Sequence, residues 1–264
     1  MKLTNENYFS PEASMEYFGV SQMKTFMDCE ARALAECKGE WKQPMSTALL
    51  VGSYVDAYFE GTLEEFKLLH PEIFTQKGTL RADYKKADEI IERLHRDKLF
   101  MEYMSGQKQV IMTGDIAGYP MKIKIDSYHP RDKIVDLKVM RSLDRIMGVS
   151  LVTHWKYDLQ AAVYQHIEAQ TSGKEKLPFY LAIATKEEIT NLEIVKVEQS
   201  DMDDWISKIT KQLPRWQSIK NGEIKPEGCG VCPYCVSKKV LTEPISSDLV
   251  GFSKKELEKG YFYG

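Results

Sequence analysis

The chain has 264 residues, 43% hydrophobic and 28% charged, ordinary globular usage that excludes extended disorder, collagen-like repeats and a coiled coil. Lys plus Arg total 36 against 39 for Asp plus Glu, a net charge of −3, so no overall basic footprint marks a nucleic-acid binder. No apolar run reaches the roughly 18 residues that span a bilayer, and MKLTNENYFS lacks the apolar centre of a signal peptide, so a cytoplasmic protein without membrane contact is expected.

In chain order, Ser21 to about Cys37 reads as a helix with Ser21 as N-cap, carrying Cys29. Thr47 to Phe59 reads as a second helix, stopped by Gly61. From Asp83 to Met104, Ile90, Ile91, Leu94, Leu99 and Met101 recur among charges, which predicts one long amphipathic helix closed by Ser105 and Gly106. The pattern then changes to short β-rich runs at Gln109–Met112, Met121–Asp126 and Lys133–Lys138, separated by Gly114 to Pro120 and by His129-Pro130-Arg131, which predicts a three-stranded meander. Trp155 to Gln170 returns to helical spacing, Phe179 to Ala184 and Leu192 to Val197 read as strands, and Met202 to Ile219 as a helix. There is no internal repeat and no linker, so a single domain over 1–264 is expected.

Asp126 and Asp136 lie ten positions apart on strands joined by a turn centred near Arg131. A symmetric hairpin sets them opposite one another, with Cβ atoms about 4.5–5.5 Å apart, close enough for both carboxylates to hold one divalent cation. Lys138 follows Asp136 by two residues and alternation directs it to the same face. A metal held by two carboxylates beside an ammonium suits phosphodiester hydrolysis, because the cation activates water and the ammonium offsets developing charge. Taken alone, Asp-x-Lys on a strand is usually a solvated edge; the acid ten residues upstream is what distinguishes this one.

These residues resemble the PD-(D/E)XK nucleases, and within them the RecE-like (exodeoxyribonuclease VIII) and RecB-like phage exonucleases. The match runs through Asp126, then Asp136-Leu137-Lys138; Gly52-Ser53-Tyr54-Val55-Asp56, where Asp56 stands for the family's histidine; and Gln160-x-x-x-Tyr164 on the helix after the strands. The resemblance implies an α/β restriction-endonuclease-like core, a mixed central sheet flanked by helices, over residues 46–220. A helical region over 1–45, a cysteine-rich cap over 221–240 and a tail over 241–264 would complete the domain. It further implies Mg²⁺ or Mn²⁺ held by Asp56, Asp126, Asp136 and the Leu137 carbonyl, with Lys138 assisting the attacking water and Gln160 and Tyr164 supporting the metal site or the DNA backbone. The substrate would be double-stranded DNA ends, resected 5′ to 3′ with a single-strand annealing partner; a homo-oligomer is compatible with this. A silent binding protein and a CRISPR-adaptation or helicase-associated nuclease are the alternatives.

The five cysteines are unevenly spread, with Cys229-x-x-Cys232-x-x-Cys235 bunched near the end and Cys29 and Cys37 near the start. In a reducing compartment such bunching favours metal over disulfides. Ser21-x-x-x-x-Phe26-x-x-Cys29 also resembles the N-terminal helix of RecB-type nucleases, whose cysteine joins three C-terminal ones around a [4Fe–4S] cluster. Zinc and unliganded thiols stay open beside it. His129 and His154 read as turn or surface residues, and Trp155, Tyr157 and Tyr164 as packing residues. Lys122 to Arg141 holds six basic residues against three acids, a local excess where a phosphate backbone could be held.

Overall fold

In the computed structural model, residues 1–144, 148–173, 175–241 and 244–250 are described; 251–264, most of the expected tail, lie outside them. The first half is helical up to a hairpin: α1 (Pro11–Glu16), α2 (Val20–Asp28), α3 (Glu30–Cys37), α4 (Thr47–Glu60), α5 (Leu63–Leu69), α6 (Ala82–His95), α7 (Lys98–Tyr103), β1 (Gln107–Ile116) and β2 (Tyr119–His129). The second half runs β3 (Lys133–Met140), α8 (Leu151–His154), α9 (Tyr157–Ser172), β4 (Phe179–Thr185), β5 (Leu192–Lys196), α10 (Gln199–Met202), α11 (Trp205–Lys220) and α12 (Pro233–Ser237). No helix among the described residues is long and apolar enough to cross a membrane.

The five strands form one sheet in the order β1-β2-β3-β4-β5, with β2/β3 and β4/β5 antiparallel and β3/β4 parallel. The expected meander is therefore present, and it is extended into a mixed sheet through a β3 to β4 crossover containing α8 and α9. β3 buries Ile134, Val135 and Leu137 almost completely, the continuous apolar run of a strand covered on both faces. Asp136, at 3% exposure, is the charged exception within that run.

Three predicted helices are interrupted, each for a local reason. Ser21–Cys37 splits because Cys29 adopts an extended conformation (φ −160°, ψ 107°), ending α2 and preceding α3; Gly19 rather than Ser21 is the N-cap of α2. The long helix from Asp83 splits where the Asp97 side chain accepts the Phe100 N–H at 3.0 Å, capping a new helix in competition with the old one. Trp155–Gln170 splits at Lys156, whose φ of 53° is left-handed. By contrast α4 keeps its expected span, with Ser46 accepting the Leu49 N–H and Gly61 closing it at φ 77°, where a side chain would strain the backbone.

Two compact units are distinguishable. One comprises Met1–Gln43, Ile116–Met121 and the described residues from Ser207 onward. Its centre packs Phe18, Phe26 and Trp216, with the Phe26 and Trp216 rings stacked at 5.5 Å, and the Lys220 ammonium lies 3.6 Å from the centre of the Phe18 ring. The other comprises Pro44–Asp115 and Lys122–Ile206. In it α4 and α6 lay Leu50, Val51, Tyr54, Ile90 and Leu94 in a core shared with Val135, Leu137, Ala182 and Ala184 of the sheet.

Candidate active site

All the acidic, lysine and helix residues of the expected catalytic set lie in the second unit. The β2/β3 register pairs Ser127 with Val135, Tyr128 with Ile134 and His129 with Lys133; Asp126 and Asp136 are the next residues of the two strands beyond the last of these pairs. The turn is centred on Arg131, at φ 69°. Asp126 Oδ2 accepts the Leu137 N–H at 2.9 Å, so the carboxylate is tied to the neighbouring strand at the residue between Asp136 and Lys138. Lys138 is ion-paired with Asp136 Oδ2, and Gln160 donates from Nε2 to Asp136 Oδ1 at 2.6 Å.

Burial pushes Asp126 well above the usual carboxylate range, reinforced by the charges of Asp136 and Asp56. Burial also raises Asp56 to about 7, with Asp136 and Glu60 adding to the effect against Lys138 and Lys124. For Lys138 burial opposes the charge, but Asp136 and Asp126 outweigh it and hold the amine protonated, above its ordinary value. Asp56, Asp126 and Asp136 repel one another around Lys138, with Lys124 and Lys108 adding positive charge nearby; a divalent cation would relieve the repulsion among the acids. Asp136 Oδ2 is buried and makes no hydrogen bond beyond the Lys138 ion pair among the described residues. Mg²⁺ typically takes one or two carboxylates and keeps several waters, so two of these acids would suffice for such an ion; the three do not form a closed set, since among the described residues only the four cysteines bring three or more such ligand atoms within 4.8 Å of one another.

Gln160 and Tyr164 lie on the same face of α9, but reach different partners. Gln160 reaches Asp136, as above, while the Tyr164 hydroxyl donates to the Lys124 carbonyl at 3.0 Å. Two further residues lie nearby, Tyr157, expected as a packing residue, and Glu60, for which no role was expected. Tyr157 places its ring 5.2 Å from the Lys138 ammonium, and Glu60 adds a carboxylate one turn after Asp56. Their signals were helical spacings: Tyr157, Gln160 and Tyr164 recur at i, i+3, i+7, and Asp56 and Glu60 at i, i+4. A Cβ at Gly52 would meet nothing within 4 Å, so packing does not demand that glycine.

His129 is structural, its Nε2–H donating to the Tyr103 carbonyl at 2.9 Å. Trp155 differs from expectation: it is 49% exposed, and its ring meets that of the neighbouring His154 edge-on at 4.8 Å.

In the first unit the corner at Cys29 meets the loop before α12. The Sγ atoms of Cys29, Cys229, Cys232 and Cys235 all lie within 4.8 Å of one another. Burial pushes the Cys29 thiol up. At Cys229 burial is outweighed by the N–H groups of Val231 and Cys232 and by the neighbouring thiols, which bring it down to about 7. Cys37 is buried apart from them, its sulfur 2.8 Å from Gln22 Nε2.

Residues 19–238 match the family model described as a PDDEXK-like domain of unknown function (DUF3799). The crystal structure of a protein from Eubacterium rectale, provisionally described there as an exonuclease, superposes with a TM-score of 0.91 at 47% identity, covering 95% of this chain and 99% of that one. A chain named SSO0001 aligns at 13% identity and a TM-score of 0.31, over 85% of this chain and 97% of its own, too weak a likeness to support any conclusion. No curated protein matches.

Proposed function

Since the chain belongs to the PDDEXK-like DUF3799 family and carries the fold of a PD-(D/E)XK nuclease, we propose that it is a Mg²⁺- or Mn²⁺-dependent exonuclease acting on linear double-stranded DNA. The observation that carries this reading is the convergence of Asp126, Asp136 and Lys138 on adjacent strands, with Gln160 fixing Asp136. The description given to the Eubacterium rectale relative favours an exonuclease. Resection from the 5′ end, in phage-type recombination with a single-strand annealing partner, is what the resemblance to RecE-like enzymes adds.

Asp56, Asp126, Asp136 and the Leu137 carbonyl would hold the cation, which when bound supplies a more acidic water and neutralises the phosphate. The chain's own residues do the rest. The charges of Asp136 and Asp126 favour the protonated amine of Lys138, which suits it to donate a hydrogen bond and supply counter-charge. Gln160 holds Asp136 in one orientation, and the Tyr157 ring covers one side of the lysine. In the hydrolytic step a water oxygen bonds to phosphorus as the bond to the leaving deoxyribose oxygen breaks, the attacking water giving up a proton to solvent and the departing oxygen taking one up from it.

End-labelled linear duplex and closed circular DNA, each with Mg²⁺, Mn²⁺ or EDTA, test the reading. Wild type should shorten the linear DNA only with metal, and Asp126→Asn and Lys138→Ala should lose at least about 100-fold in rate. If wild type leaves DNA as intact as the variants do in every metal, the chain is a silent DNA-binding or assembly protein instead; cleavage of the circle would make it an endonuclease.

A further inference from the structure

We propose that Cys29, Cys229, Cys232 and Cys235 bind one tetrahedral divalent ion of the zinc class, a structural centre separate from the acidic site and independent of the nuclease reading. The spacing of the sulfurs carries this. Cys29 and Cys235 are 3.5 Å apart, Cys229 and Cys235 4.0 Å, and the whole set lies within 4.8 Å. With metal–sulfur bonds of about 2.3 Å, the edge of a tetrahedron of thiolates is about 3.8 Å. Each thiolate of a [4Fe–4S] cubane binds a different iron, so irons and sulfides lie between the sulfurs and hold them several ångströms further apart. Disulfides fit no better, since bonded sulfurs approach to about 2.05 Å and all five cysteines are free.

The surrounding backbone has the form of a thiolate site. Cys232 N–H points to the Cys229 sulfur at 3.3 Å and Cys229 N–H to the Cys29 sulfur at 3.4 Å, donors that offset the negative charge of a four-thiolate set. Gly230 turns the Cys229-x-x-Cys232 loop at φ 79°, and Cys232 then caps α12, which brings Cys235 back toward Cys229. A Cβ at Gly228 would come within 3.1 Å of the Cys235 sulfur.

A second set of contacts joins the same segments without using sulfur. Arg215 forks onto Glu30 at 2.6 and 2.9 Å and reaches Glu227 at 3.1 Å; the Glu227 N–H donates to Glu30 at 2.9 Å, and its carbonyl accepts from the Ala31 N–H at 3.0 Å. This clamp sets the residue after Cys29 against the residue two before Cys229, so the four sulfurs are brought together by groups other than the ion. Four protein thiolates leave no open position, which makes the centre structural rather than catalytic.

The experiment is elemental analysis of the full chain, produced anaerobically with both iron and zinc supplied and desalted into metal-free buffer. The expected result is about one zinc per chain, with neither colour nor acid-labile sulfide. Cobalt exchanged into the same protein should show the intense visible bands of a tetrahedral thiolate site. Asp126→Asn should keep the zinc, Cys37→Ser should keep it, and Cys235→Ser should lose it. Should Cys235→Ser fail to fold, mercurial titration of wild type replaces it, zinc being released as the four thiols react. About four irons with a matching amount of labile sulfide would overturn the proposal in favour of a cubane; a metal-free folded chain with four freely reactive thiols would overturn it in favour of unliganded cysteines.

Discussion

Gln160 shows how much a single side chain can decide in this protein. Its amide fixes Asp136 from a neighbouring helix at 2.6 Å, and partners of this kind are typically worth roughly 10- to 100-fold in activity or metal affinity. Gln160→Ala should therefore lower the cleavage rate about that much while far-UV dichroism stays unchanged; an unaltered rate would remove the residue from the site. Asp56 makes a second prediction, about pH. Its folded value of about 7 stands above the ordinary 3.8, so between those limits the folded chain binds more protons than the unfolded one. The contribution of Asp56 to stability without divalent metal should be full below about pH 4, fall as pH rises through 7, and be lost above. Asp126, also raised, acts in the same direction. The difference in thermal midpoint between wild type and Asp56→Asn in EDTA should shift against wild type as pH rises from about 4 through 7, and added Mg²⁺ should reduce that shift; a difference independent of pH over the window would contradict it.

Elements are shaped here by close approaches that no periodicity announces. Gly106 joins α7 to β1 where a Cβ would fall 2.6 Å from the Tyr128 carbonyl and 2.8 Å from the His129 ring. Backbone cannot give as a flexible side chain does, so Gly106→Ala should destabilise by about 1–3 kcal/mol, measured as a lower urea midpoint at constant m-value. The existence and order of the strands were legible in residue type, because Val, Ile and Tyr alternate between turn residues from Gln107 to Met140. Even the hairpin register was legible, since a turn centred on Arg131 allows only one symmetric pairing. The helix breaks at Cys29, Asp97 and Lys156 were not. Each sits inside an uninterrupted helical pattern and is made by a side-chain cap, a left-handed residue or a distant partner, such as the Glu227 carbonyl that takes the Ala31 N–H.

Taken as a whole, the molecule has a net charge of −3 and yet six bases against three acids between Lys122 and Arg141. DNA affinity should accordingly depend on the cation that neutralises the acids. In fluorescence anisotropy with a labelled duplex, a non-supporting divalent ion such as Ca²⁺ should tighten binding roughly tenfold or more over EDTA, and rising monovalent salt should weaken it. Equal affinity in both conditions would show that the acidic site takes no part in holding DNA.

The amino-acid sequence by itself determined the strands, their pairing across Arg131 and the face shared by Asp136 and Lys138, because these follow from local periodicity and a short loop. It also determined that four cysteines and three acids were available. Only the tertiary structure decided what those groups do together: that Gln160 serves Asp136 while Tyr164 serves the Lys124 carbonyl, that Lys138 stays charged, and that Cys29 meets sulfurs some 200 residues away at the separation of a single ion. Distances and ionisation depend on burial and on partners remote in the chain, and no local pattern encodes them.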